Sequence, residues 1–196
     1  MSINLLETIQ KNLNYPPLKK IDPNTQEVTA DNNAPSEDRF AQAAIPAMLT
    51  GLYRFSTADE GAENILRGDI STDWVTTVFE ERTGEVIEKV AQYSFQPVGT
   101  VHQRMNEIAW EAVGLVREEI KTDADKMNVK DYIAGQRNSI LLYLPAALHL
   151  GELLEDDTLD DNTHKMEGPV SSLMNKIGAA FSKPADEEEV KSGNSK

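Results

Sequence analysis

Acid–base or metal chemistry in this chain would have to begin at its histidines, His102, His149 and His164. There is no cysteine, which excludes disulfides, thiol catalysis and cysteine-ligated zinc. His102 shares a helical stretch with Glu107 and Glu111, as in a di-iron carboxylate bundle. Such a centre also needs Glu-x-x-His on two helices, and no Glu-x-x-His occurs here. The three side chains therefore read as a solvated helix face. Asp156, Thr158, Asp160, Asn162 and Glu167 fall at positions 1, 3, 5, 7 and 12 of a calcium loop. Asp161 stands where the sharp turn wants Gly, and Thr163 where an apolar residue is usual, so calcium at Asp156–Glu167 is not expected. No histidine lies beside a Gly-x-Ser-x-Gly elbow. His149 sits in an apolar segment and is expected to be a core or pocket histidine. Gly61, Gly68 and Gly84 are isolated and form no phosphate loop. The pairs Glu80-Glu81 and Glu118-Glu119 are adjacent in sequence, so their carboxylates diverge on a helix. The expectation is no catalytic, cofactor-binding or metal-binding residue, no cofactor, and no enzyme.

Charge narrows the partners further. With 33 acidic and 19 basic residues the net charge is −14, against the basic footprint of a nucleic-acid binder. The N-terminus "MSINLLETIQKNLN" has no basic region of the signal-peptide kind. The most apolar run, Ile140 to Leu154, contains His149 and Glu152 and falls short of the ~20 residues of a membrane span. A cytoplasmic protein without a membrane span is expected.

The elements that would position any site follow the helical period, and no sustained period-two pattern occurs. The fold class expected is all-α, a compact multi-helix bundle. Residues 1–13 read as an N-terminal amphipathic helix, 14–36 as a Pro-rich linker or crossover, 37–182 as the bundle and 183–196 as a disordered acidic tail. Docking of the first helix on its own body is preferred over exchange with another copy. Within the bundle, Ser56 and Asp59 have capping-box spacing and Gly68 is placed as a helix stop. Ser71 or Thr72 can cap the next helix, Gly84 can break or bend it, and Val101 to Ile120 carries the cleanest apolar stripe. Asn128 is a candidate N-cap, and Pro169 suits the first turn of a last helix ending near Phe181.

Two prolines interrupt the most apolar runs, in Ile45-Pro46-Ala47-Met48-Leu49 and in Leu144-Pro145-Ala146-Ala147-Leu148. An interior proline costs a regular helix roughly 3 kcal/mol. Pro46 and Pro145 are therefore expected at helix starts or kinks, with Ala47 and Ala146 buried against another helix.

These runs also carry a resemblance. "AAIPAMLTGLYRFSTADEGAENIL", "FEERTGEVIEKVAQYS" and "VKDYIAGQRNSILLYLPAALHLGELL" resemble successive landmarks of the bacterial YidB-like family, a domain of unknown function. Its marks fall here on Pro46, Gly51, Gly135, Gln136, Pro145 and Gly151, and the likeness extends roughly from Leu5 to Phe181. The resemblance implies an α-helical bundle with a central helix wrapped by others and no established activity. The chain departs from the family in its 33 acidic residues and in the bulky Trp74, Tyr93 and Trp110.

The function expected is that of a protein-interaction or assembly module, binding an unknown protein partner or itself. The alternative is a binding module for an apolar small molecule or peptide helix in a groove between helices.

Overall fold

From Phe40 to Leu52 every residue of one helix is buried, and this sets the centre of the molecule. That stretch of α2 (Ser36–Thr57) is apolar apart from Gln42 and Thr50, which is what a helix enclosed by others requires. Ala41, Ala43, Ala44 and Ala47 keep its girth small, so neighbours approach closely from several directions. Around it lie α1 (Leu5–Asn12), α3 (Asp59–Arg67), α4 (Trp74–Phe79), α5 (Thr83–Ser94), α6 (Val98–Ile120) and α7 (Lys126–Leu141), all in contact with α2. A 3-10 turn (Ala146–Leu148) and the short α8 (Leu150–Leu153) follow. The structure, a computed structural model, describes residues 3–22, 34–69, 71–121 and 124–155. Among the described residues there is no strand, and the fold is an all-α bundle with a central helix.

Of the two places expected for Pro46, a helix start is excluded, since it lies inside the continuous 22-residue α2. Having no N–H, it cannot donate to the Gln42 carbonyl; packing on every side of α2 offsets that loss. Ala47 is fully buried, as expected. Pro145 does stand at a helix start, as the N-cap of the 3-10 turn, but Ala146 is only half-buried. The apolar run from Ile140 to Leu154 is consequently not one helix. The restriction proline places on Leu144 ends α7 early, and a second break follows at His149, whose φ is +47°.

Several helix ends differ from the sequence pattern for local reasons. Ser56 and Thr57 bond back to the carbonyls of Tyr53 and Arg54, so both belong to the last turn of α2 and form no capping box. Asp73, not Ser71 or Thr72, caps α4 by accepting from the Thr76 N–H at 3.1 Å. The break before α5 comes at a 3-10 turn, Glu80–Arg82, and Gly84 lies within α5. Asn128 lies inside α7, whose N-cap is Asp125. Gly68 closes α3 in the left-handed conformation, as expected. The stripe from Val101 to Ile120 is buried along α6.

The N-terminal helix docks on the body of its own chain, with Leu5, Leu6 and Ile9 buried. Residues 15–22 continue as an extended arm that buries Tyr15 and Ile21, and the Ile21 N–H donates to the Leu142 carbonyl at 2.9 Å. The calcium-like stretch 156–167, His164, the expected last helix and the acidic tail lie outside the described residues.

Candidate interaction surface

The residues singled out for chemistry do not converge. His102 Nε2 lies 3.0 Å from Asp73 Oδ2, and the pair is half-exposed. Burial raises the pKa of Asp73, but the Thr76 N–H, the Thr76 hydroxyl and His102 outweigh it and hold the carboxyl below its ordinary value. The pair thus strengthens a helix cap. Glu107 accepts from Gln103 at 3.2 Å, while Glu111 accepts from Asn12 at 2.7 Å and ties α6 to α1. His149 is exposed, contrary to the expected core or pocket position, because its left-handed backbone turns it out between two short helical turns. Among the described residues no group of three or more His, Asp or Glu side chains is placed to hold a metal ion, and no helix is long and apolar enough to cross a membrane.

The marks of the family resemblance divide by role. At Gly51 an added Cβ would lie 2.5 Å from the Phe79 ring, so the glycine lets α4 close on α2. At Gly135 an added Cβ would meet nothing within 4 Å, and nothing in the structure explains the glycine. Pro46, Pro145 and Gly151 are buried. Gln136 is buried on α7, accepting from the Leu5 N–H at 3.1 Å and donating to the Ile3 carbonyl at 3.0 Å. It holds the start of α1 as a neighbouring strand would.

A second glutamine, invisible as a site in the sequence, repeats that grip. Gln42 accepts from the Lys19 N–H at 2.8 Å and donates to the carbonyls of Lys19 and Tyr143 at 3.0 and 2.8 Å. Arg104 completes the attachment of the arm. Its guanidinium stacks 3.8 Å from the Phe40 ring centroid and 5.2 Å from that of Tyr15. It also bonds both carboxylate oxygens of Glu37 and, at 3.0 Å, Gln96 Oε1. Burial works against its charge, and the bonds to Glu37 and Tyr15 more than compensate, so its pKa is raised. The Tyr15 phenol is pushed up, mainly by burial. These polar residues hold the arm.

Three clefts are lined by described residues. One of about 480 Å³ opens between the end of α2, α3 and α4, with Arg54, Glu60, Asn64 and Glu80 in its walls and no histidine. Another of about 450 Å³ lies against α6 beside Arg117, Glu118 and Lys121. A third, between α2 and α7, has no room for water, although the buried Thr50 Oγ1 beside it lacks a hydrogen-bond partner. None of the three is lined by Pro46 or Pro145.

What stands out instead is a corner where α5 meets α6. Phe95 closes α5 with φ +55°, its N–H bonded to the Ala91 carbonyl. Its side chain is 74% exposed, and Val98, at the start of α6, is 51% exposed. The Arg39 guanidinium lies 4.9 Å from the Phe95 ring centroid. Hydrogen bonds from Ser36 Oγ to the Ser94 carbonyl and from the Gln96 N–H to the Ala91 carbonyl brace the backbone on either side. The corner is therefore a fixed display of apolar side chains. Phe95 is not recognisable as a site in the sequence, because nothing local announces that its φ is positive.

Compared with family models, curated proteins and solved structures, the chain matches none, and the YidB-like resemblance rests on its sequence landmarks alone.

Proposed function

We propose that the protein is a non-enzymatic interaction or assembly module of the cytoplasm, with the corner at Phe95 as its contact surface. The observation that carries this reading is a large apolar residue in a conformation that suits glycine. Gly68 and Phe95 do the same job, ending a helix in the left-handed region with the cap N–H bonded four residues back. At Gly68 the conformation costs little. At Phe95 it costs about 1 kcal/mol, because Cβ crowds the following carbonyl. Exposure denies Phe95 the burial that would offset this cost, and the Arg39 contact, worth ~0.5–1 kcal/mol at an exposed site, recovers only part of it. Strain kept without a folding benefit points to a use outside the fold, and aromatic residues are favoured anchors of protein interfaces.

The test is site-specific photo-crosslinking in the native host. A crosslinking residue at position 95 or 98 should form a defined protein adduct, whereas one at Met127, 59% exposed on α7, should not. Equal labelling at all three positions would remove the reason for choosing this corner.

A further inference from the structure

The charge pattern around the corner selects a partner. From Val90 to Gln103 the chain carries no Asp, Glu, Lys or Arg, in a protein with 33 acidic and 19 basic residues. The window is not merely core sequence, since Phe95, Pro97, Val98, Gly99 and Thr100 are all exposed. The charged groups at its edge are engaged within the chain. Arg39 lies over the Phe95 ring, and Glu37 is held by Arg104. Among the described residues, a basic partner would find the Glu37 carboxylate already held by Arg104, and an acidic one would find the Arg39 guanidinium already stacked on an aromatic ring.

A second copy of the chain suits these conditions. Two molecules of net charge −14 repel over most approaches. At this corner they can meet without opposing carboxylates. A twofold contact presents the same patch from both sides, so an apolar patch whose one charged neighbour, Arg39, is stacked on its own Phe95 can be complementary to itself. We propose that the Phe95–Thr100 corner is a self-association surface, occupied by the same corner of a second copy, with Phe95 and Val98 at its centre. This inference rests on the interaction reading above and names its partner.

Sedimentation velocity on the full chain from micromolar to millimolar concentration tests it. The expected result is a weak, reversible monomer–dimer equilibrium, since the patch is small for a stable dimer. Added salt should tighten it by screening the repulsion between two acidic chains; attraction between opposite charges would weaken instead. Phe95→Gly should raise the dissociation constant at least ~tenfold, while its melting temperature stays level or rises because glycine relieves the positive φ. That combination separates lost contact from lost folding. Val98→Ser should also weaken association, and Met127→Ser should not. Association that survives Phe95→Gly, or that salt weakens, overturns the proposal. A strict monomer at millimolar concentration overturns it too. If position 95 then crosslinks to a different protein, the interaction reading stands and only the choice of partner fails; if it crosslinks to nothing, both fail.

Discussion

Gln136 shows what a single side chain contributes when its amide meets backbone. Both ends of that amide are used, on the Leu5 N–H and the Ile3 carbonyl, in a buried place. In Gln136→Leu the side chain keeps much of its volume and loses both bonds, leaving a buried backbone N–H without its partner. The expected loss is about 1–3 kcal/mol in denaturant unfolding. Hydrogen exchange should rise first at residues 3–12, and no change there would mean that Leu5, Leu6 and Ile9 hold α1 unaided. Nothing in the sequence forecast this role, because the partner lies 131 positions away. A buried glutamine and an exposed one look alike in a string of letters.

At the scale of elements, the glycines separate close approach from mere occurrence. Gly61 lies where an added Cβ would come 1.9 Å from the Phe55 carbonyl oxygen, a backbone atom that cannot swing aside. Gly61→Ala should therefore displace α3 from the end of α2 and cost at least the ~1–3 kcal/mol of an overpacked site. Gly135 is the opposite case, exposed inside α7 with open space around it. Gly135→Ala should stabilise the chain by about 0.5–1 kcal/mol, because alanine lowers the entropy of the unfolded helix segment. Thermal unfolding of the two variants should move in opposite directions; a loss at Gly135→Ala would reveal a contact that the described residues do not contain. Gly68 was legible from sequence because a helix stop in the left-handed region selects glycine. Phe95 was not, since a phenylalanine gives no local sign of a left-handed helix stop. Pro46 is tolerated inside α2 for a related reason, because the burial of an enclosed helix offsets what a proline costs an exposed one.

At the scale of the whole molecule, charge decides behaviour in acid. Asp59 bonds Lys130 at 2.6 Å and Lys126 at 2.9 Å, bridging α3 and α7, and Lys126 also reaches Glu63 at 3.2 Å. The bonds to Lys130 and then Lys126 lower the Asp59 pKa from an ordinary 3.8 to about 2. A carboxyl whose pKa falls on folding stabilises the native state above its unfolded value, and that contribution disappears as pH falls through the folded value. The bridge should thus be intact above pH 3.8 and lost on acidification through about 2. An NMR titration of the Asp59 carboxyl should show a midpoint near 2, returning toward 3.8 in Lys130→Ala. A midpoint already at the ordinary value would mean that the bridge does not persist in solution.

The division between sequence and tertiary structure follows from the range of the forces involved. Helical periodicity and the Gly68 stop depend on residues within a few turns of one another, and the absence of cysteine and the acidic balance are matters of composition, so all four can be read from the chain's letters. The all-α class followed. Long-range packing decided which apolar helix becomes the centre, where Pro46 is tolerated, and which polar side chains hold the arm. It also decided that Phe95 faces outward at the cost of backbone strain. Each of these depends on contacts between residues far apart in the chain, whose energies no local pattern contains.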